Sequence, residues 1–154
     1  MRIISGHLKG RKIETLRHKD LRPTTNKIKE RIFNILEHNP NILADQKLSD
    51  IETMLDICSG IGSIAFEAIS RGVQNAILID KNRLFGELTE FNASKFGVSD
   101  RVKFLNYNAL NLPKAMISVD LCFIDPPYNQ NITDKVLTEL IKKNWLNDLT
   151  LTKS

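Results

Sequence analysis

The residues with the most specific chemistry in this 154-residue chain are Asp125-Pro126-Pro127-Tyr128. They follow Val119-Asp120-Leu121-Cys122-Phe123-Ile124, a run rich in strand formers that stops at two prolines. The tetrapeptide is therefore predicted just beyond the carboxyl end of a buried strand, where ligands bind in open α/β sheets. A carboxylate and a backbone carbonyl are both acceptors, and successive prolines hold φ at about −65°, which fixes where the Pro126 carbonyl points. Tyr128 adds a flat stacking surface. The set suits a planar group carrying an –NH2. An exocyclic base amine is a poor nucleophile because its lone pair is delocalised; two acceptors, one per N–H, orient it and draw it towards a tetrahedral nitrogen. A base stacked on Tyr128 must first leave its helix. The plainer alternative is a Pro-Pro turn in which Asp125 caps the next segment. The strand end and the following tyrosine favour the functional reading.

A second constellation lies upstream, in Asp56-Ile57-Cys58-Ser59-Gly60-Ile61-Gly62. Two glycines stand where a strand must turn into a helix and let a ligand approach the backbone. Asp80 ends the next strand, the usual place for an acid that accepts hydrogen bonds from a ribose. Gly60-Ile61-Gly62-Ser63-Ile64-Ala65 also fits the dinucleotide pattern, so an NAD-dependent oxidoreductase is a candidate. Asp56 argues against it, because a carboxylate at the mouth of the loop repels a pyrophosphate but suits the cationic ammonium and sulfonium end of S-adenosylmethionine. The oxidoreductase also leaves Pro-Pro-Tyr unexplained, and a plain βα turn leaves the acids unexplained.

The elements that must position these groups follow from periodicity. Residues 54–58, 76–80, 102–105 and 119–124 read as buried strands. Residues 63–71 read as a helix closed by Gly72, and Leu84, Leu88 and Phe91 mark a second helix that ends near Gly97. Residues 132–144 form a third, on Val136, Leu137, Leu140 and Ile141, before a β-prone tail at 149–152. Repeated βα units give an α/β fold with a mainly parallel sheet and helices on both faces. Upstream, residues 2–6 and 9–13 form a small hairpin around His7-Leu8, and Thr24 or Thr25 caps a helix that Asn39-Pro40 stops. That helix is expected to bury Ile28, Ile32, Ile35 and Leu36 and to leave Lys27, Lys29 and Arg31 on a basic face. Residues 41–50 read as a polar connector with at most a helical turn.

Composition is that of a soluble globule of one domain, with 42% hydrophobic and 26% charged residues and a net charge of +4. Residues 1–31 carry ten Lys and Arg against three acids, and the rest of the chain carries 12 against 15. A basic arm on a mildly acidic body is the layout of a protein that grips phosphates with one part. No apolar run approaches a membrane span and the N-terminus has no signal-peptide core, so a cytoplasmic location is expected. Cys58 and Cys122 read as core thiols, and the three histidines have no metal-ligand spacing.

Taken together, Met1-Arg2-Ile3-Ile4-Ser5-Gly6, Leu8-Lys9-Gly10-Arg11, Leu21-Arg22-Pro23-Thr24-Thr25, Leu55-Asp56 through Gly62, Ser70-Arg71-Gly72 and Asp125-Pro126-Pro127-Tyr128 resemble the bacterial 16S rRNA guanine-N2 methyltransferases, in that order and over residues 1 to about 146. The last motif is shared with other amino-methyltransferases; the N-terminal combination is narrower. The resemblance implies a Rossmann-like class I methyltransferase fold, S-adenosylmethionine as donor, and methylation of a guanine amine in 16S rRNA, free or in an assembling small subunit, by a monomer. It implies a basic RNA-contacting extension at 1–38, with Arg2, Lys9, Arg11, Lys12 and Arg22 on phosphates, and a donor-binding core at 51–154. Asp125, Pro126, Pro127 and Tyr128 are then catalytic. Asp56, Ser59, Gly60, Gly62, Asp80, Asn108 and Ala109 hold the donor, with Asp56 at its methionine end, Asp80 at its ribose and Asn108 at its adenine. Asp80 stands where the family more often has Glu, and Asn108 where an Asp accepts more strongly from the adenine amine. The family continues through further strands, so the last strands are expected to be missing, with an exposed apolar edge. Adenine-N6 methylation and an inactive RNA-binding remnant are the alternatives.

Overall fold

Apolar runs flanked by turn residues pair into one sheet in the computed structural model, which describes residues 1–21, 24–43, 45–126, 130–147 and 150–153. The strands are β1 (Thr53–Ile57), β2 (Asn75–Asp80), β3 (Val102–Asn106), β4 (Leu121–Ile124) and β5 (Leu151–Lys153), in the order β3-β2-β1-β4-β5 with every pair parallel. The helices are α1 (Asn26–His38), the short α2 (Pro40–Leu43), α3 (Ser63–Ser70), α4 (Arg83–Lys95) and α5 (Gln130–Lys142). All five residues of β1 are buried, as a central parallel strand requires. Alternate residues serve two cores. Met54, Ala76, Leu78, Leu121 and Phe123 pack with Phe66, Ile69, Phe85 and Ala93 of α3 and α4. Leu55, Ile57, Ile79, Cys122 and Ile124 pack with Val136 and Leu140 of α5 and with Leu112, Val119 and Trp145. The β-prone tail flanks the fourth strand, Leu121 pairing with Leu151 and Phe123 with Lys153; β5 is the outermost strand on that side among the described residues.

The N-terminal arm forms a smaller hairpin than the sequence predicts, a single antiparallel bridge between Arg2 and Lys12 flanked by Ile3 N donating to Arg11 O at 3.0 Å. Its apolar residues Ile3, Leu8 and Ile13 are buried in the same core as Phe33, Leu36 and Phe66. The arm thus lies outside α3 and α4 as a further layer: His7 N donates to Ser70 O, and Glu14 and Asn92 bond each other through backbone and amide at 2.9 and 3.0 Å.

That layer corrects two expected helix faces. α1 starts at the Thr25 cap, whose Oγ1 accepts from Ile28 N, but Ile28 is 51% exposed while Lys29 is fully buried with Phe33 and Leu36. Lys29 therefore does not belong to a basic outer face. Its Nζ donates to Arg2 O at 2.8 Å and Ser63 Oγ at 3.1 Å and lies 3.8 Å from a Glu67 carboxylate oxygen. Glu67, also without exposure, accepts from Ile4 N, Ser5 N and the Arg71 guanidinium. In α4, Leu84 and Phe91 face solvent, whereas Thr89 and Asn92 are buried. Lys29 and Asn92 turn inward because the arm supplies their partners, Arg2 O and the Glu14 backbone, which an apolar count cannot register.

Burial pushes the Lys29 ammonium below its ordinary range, opposed by Glu67 and reinforced by Arg71. Glu67→Ala would strip the buried Lys29 and Arg71 of their shared counter-charge, and removing one partner of a buried pair costs about 3–5 kcal/mol. Urea denaturation should show that loss, and the double variant Glu67→Ala/Lys29→Met should recover part of it; a single variant within about 1 kcal/mol of the parent would contradict the pairing.

Candidate active site

The strand order reverses between β1 and β4, which are neighbours although two βα units separate them in sequence. Their carboxyl ends open into a cavity of about 660 Å³. Ile57 pairs with Ile124 in register, so Asp125 and Pro126 emerge beside Cys58 and Ser59 of the β1 loop. The loop turns through Cys58 at φ 60° and Gly60 at φ 57°, in the left-handed region. The Gly60 amide donates to Asp80 Oδ2 at 2.9 Å and the Asn82 amide to Asp80 Oδ1 at 2.9 Å, so Asp80 ties the loop after β1 to the end of β2. Gly62, at φ 87°, caps α3 from behind: a Cβ there would stand 2.8 Å from Leu78 Cδ2, and the missing side chain lets helix and sheet close.

Four carboxylates line this cavity, Asp20 of the arm and Asp56, Asp80 and Asp125 at the strand ends. Asp56 is 2% exposed, and its Oδ2 has no hydrogen-bond partner. Burial, then the charges of Asp125 and Asp80, push its pKa up to about 8, against the Ala65 amide of the α3 N-terminus. Asp80 is raised by burial and held back mainly by the Asn82 and Gly60 amides. The Cys58 thiol, chiefly through burial and then through the same acids, is pushed up to about 12, and burial likewise raises Cys122. Both sulfurs are neutral, although Cys58 sits on the cavity wall and not in the core as expected. Burial thus favours the neutral form of Asp56, with Asp80 and Asp125 close by.

A family model described as Conserved hypothetical protein 95 matches residues 1–152. The chain belongs to this family. Among its relatives, an uncharacterized methylase of Rickettsia prowazekii, RP545, is 32% identical over 98% of this chain and 83% of its own length. The ribosomal RNA small subunit methyltransferase D of Escherichia coli K12 is 30% identical over 96% of this chain and 70% of its own length. An Escherichia coli structure described as the methyltransferase yhhF superposes with a TM-score of 0.79 at 28% identity, covering 99% of this chain and 78% of that one. The fold is that of the class I methyltransferases, as the resemblance read from the sequence implies.

In this member of the Conserved hypothetical protein 95 family, Asp56, Ser59, Gly60, Asp80, Asn108, Ala109, Asp125 and Pro126 all line the one cavity. Pro127, Tyr128 and Arg22 lie outside the described residues. Arg2, Lys9, Arg11 and Lys12 are exposed on the arm, away from the cavity wall. Arg2 is spent partly on Gly10 O, and Arg11 on Lys95 O and the Phe96 ring. Sequence reasoning missed the arm's share of the wall, Met1, Lys19, Asp20, Leu21 and Thr24. Leu21 and Thr24 stood inside a quoted motif, but read as a chain break and a helix cap they gave no sign of reaching β1.

With a folded pKa of about 8, well above the ordinary carboxylate value, Asp56 keeps its proton in the native state while the unfolded chain loses it. Unfolding then releases a proton between about pH 4 and 8, so this group's contribution to stability falls as pH rises through that window, by up to about 1.4 kcal/mol per unit. Asp56→Asn should remove the decline. Thermal melts of ligand-free parent and variant across that range should diverge, the variant gaining most at pH 8; parallel curves would show Asp56 to be ionised throughout.

Proposed function

We propose that this chain transfers a methyl group from S-adenosylmethionine to the exocyclic N2 amine of a guanine in small-subunit ribosomal RNA, in the cytoplasm. The observation that carries the reading is the shared cavity. An acid-and-carbonyl pair from β4 faces the β1 loop, and a buried carboxyl oxygen without a protein partner lies beneath. The donor fits the residues present. Asp56 meets its cationic ammonium and sulfonium end, the Gly60 turn admits it to the backbone, Asp80 offers its remaining lone pairs to the ribose, and Asn108 and Ala109 flank the adenine. S-adenosylmethionine supplies an already electrophilic methyl group on a cationic sulfur, so positioning is the main task left to the protein.

Asp125 and the Pro126 carbonyl perform that positioning for the acceptor. Each takes one N–H of the amine, which aims the nitrogen lone pair across the cavity towards the β1 loop. Pro126 is buried and Asp125 exposed within the opening, so the carbonyl is fixed while the carboxylate meets the incoming base. Pro127 and Tyr128 are proposed to hold the turn and stack on the base. The names of the ribosomal RNA methyltransferase D relatives support the RNA class and the small subunit. The guanine N2 target rests on the motif resemblance.

Asp125→Ala should abolish methyl transfer to 16S ribosomal RNA while S-adenosylhomocysteine binds within a few-fold of the parent affinity, since the lost acceptor touches the amine and not the donor. Calorimetric titration together with a tritiated-methyl transfer assay separates the two. Activity comparable to the parent would remove Asp125 from the mechanism, and failure of the parent to bind S-adenosylhomocysteine would remove the methyltransferase reading.

A further inference from the structure

Beside the active-site cavity lies a second concavity, a groove of about 590 Å³ built wholly from the N-terminal arm and the start of α1. Met1, Leu21 and Thr24 line both, so the two spaces share a wall. The wall is braced from the donor side: the His18 ring packs edge-on against Phe85, with centroids 5.3 Å apart, and its Nε2 lies 3.4 Å from the amide of Asn82, the residue that caps α4.

The two spaces differ in charge. The cavity wall holds Asp20, Asp56, Asp80 and Asp125 against Lys19, Lys81 and Arg83, with Asp56 deepest. The groove holds Arg17 and His18 and no carboxylate among its described lining residues. It also runs to the first residues of α1, a 13-residue helix whose first turn has no acidic side chain and carries Lys27. A polyanionic strand delivering one base to the acidic cavity must place the neighbouring phosphates elsewhere, and electrostatics favours the groove.

We infer that this groove is the seat of the nucleotide adjoining the methylated base, its phosphate held by Arg17 at the head of α1 and its base or ribose against Thr15, Leu16 and Thr25. The inference rests on the proposed RNA methylation and adds a contact to it. Arg2, Lys9, Arg11 and Lys12 line neither space, whereas Arg17 and Thr15 line the groove that shares Met1, Leu21 and Thr24 with the cavity. Single-stranded RNA is the fitting occupant, because an exposed Arg and a run of hydroxyl side chains contact backbone and sugar without demanding one base.

The test compares Arg17→Glu, which reverses the charge, and Thr15→Trp, which fills the groove, with Arg17→Lys as a conservative control. Protein-free 16S ribosomal RNA is the probe. Both disruptive variants should weaken RNA binding by about fivefold or more and raise the KM for RNA, with S-adenosylhomocysteine affinity unchanged. Arg17→Glu should also lower the log–log salt slope by ~0.7 to 0.9, and Arg17→Lys should restore it. RNA affinity and KM within twofold of the parent in both variants, with methylation intact, would overturn the groove assignment and leave the proposed function standing. A parent chain that binds S-adenosylhomocysteine but neither binds nor methylates this RNA would overturn both.

Discussion

A carboxylate with no access to water, Glu67, is the interaction on which the placement of the arm, α1 and α3 depends. It accepts from two arm amides and from Arg71 and faces Lys29 of α1, so it is satisfied only when all three elements meet in one register. Burying an ion costs several kcal/mol unless its lone pairs are filled, so alternative seatings of the arm are penalised more strongly than apolar contacts alone would penalise them. Arg71 extends the network outward, pairing with Glu37 at 3.3 Å and covering the Phe33 ring. Lys29 extends it inward to Ser63, the first residue of α3 after the β1 loop. One buried carboxylate therefore sets the arm at a fixed height over the cavity and brings Met1 and Leu21 to its wall.

The site obeys the opposite rule. Where Glu67 is surrounded by donors, Asp56 is buried with one oxygen unpartnered and two further acids close by. Such an arrangement costs stability and is expected where a ligand is to complete it. Its source is topological. The reversal of strand order sets β1 and β4 side by side, so both acid-bearing strand ends reach the same opening, and a cationic ligand would relieve what the empty carboxyls oppose.

Much of this was legible in the chain. Strands showed as short apolar runs bounded by turn residues, and β5 showed only as a short β-prone tail. Helix ends showed through Thr25, Gly72 and Asn39-Pro40. The two loops that meet at the cavity were singled out from residue type alone: an acid before two glycines and an acid before two prolines each have few structural explanations at a strand end. What stayed hidden was the inward face of α1 and α4. Lys29 and Asn92 look solvent-facing by type, and their partners lie in the arm, Asn92 meeting Glu14 across 78 positions.

The sequence by itself determined which segments become strands and helices, where each stops, and which residues stand at strand ends with acceptor chemistry. These depend on apolar period, proline, glycine and capping residues, whose effects act over a few neighbouring positions. Tertiary structure alone decided that the arm would form part of the cavity wall, that a lysine would be buried, and that acids 69 positions apart, Asp56 and Asp125, would share one cavity. The burial of a polar atom is settled by whether a distant partner reaches it, and that is a property of the assembled fold and not of the residue.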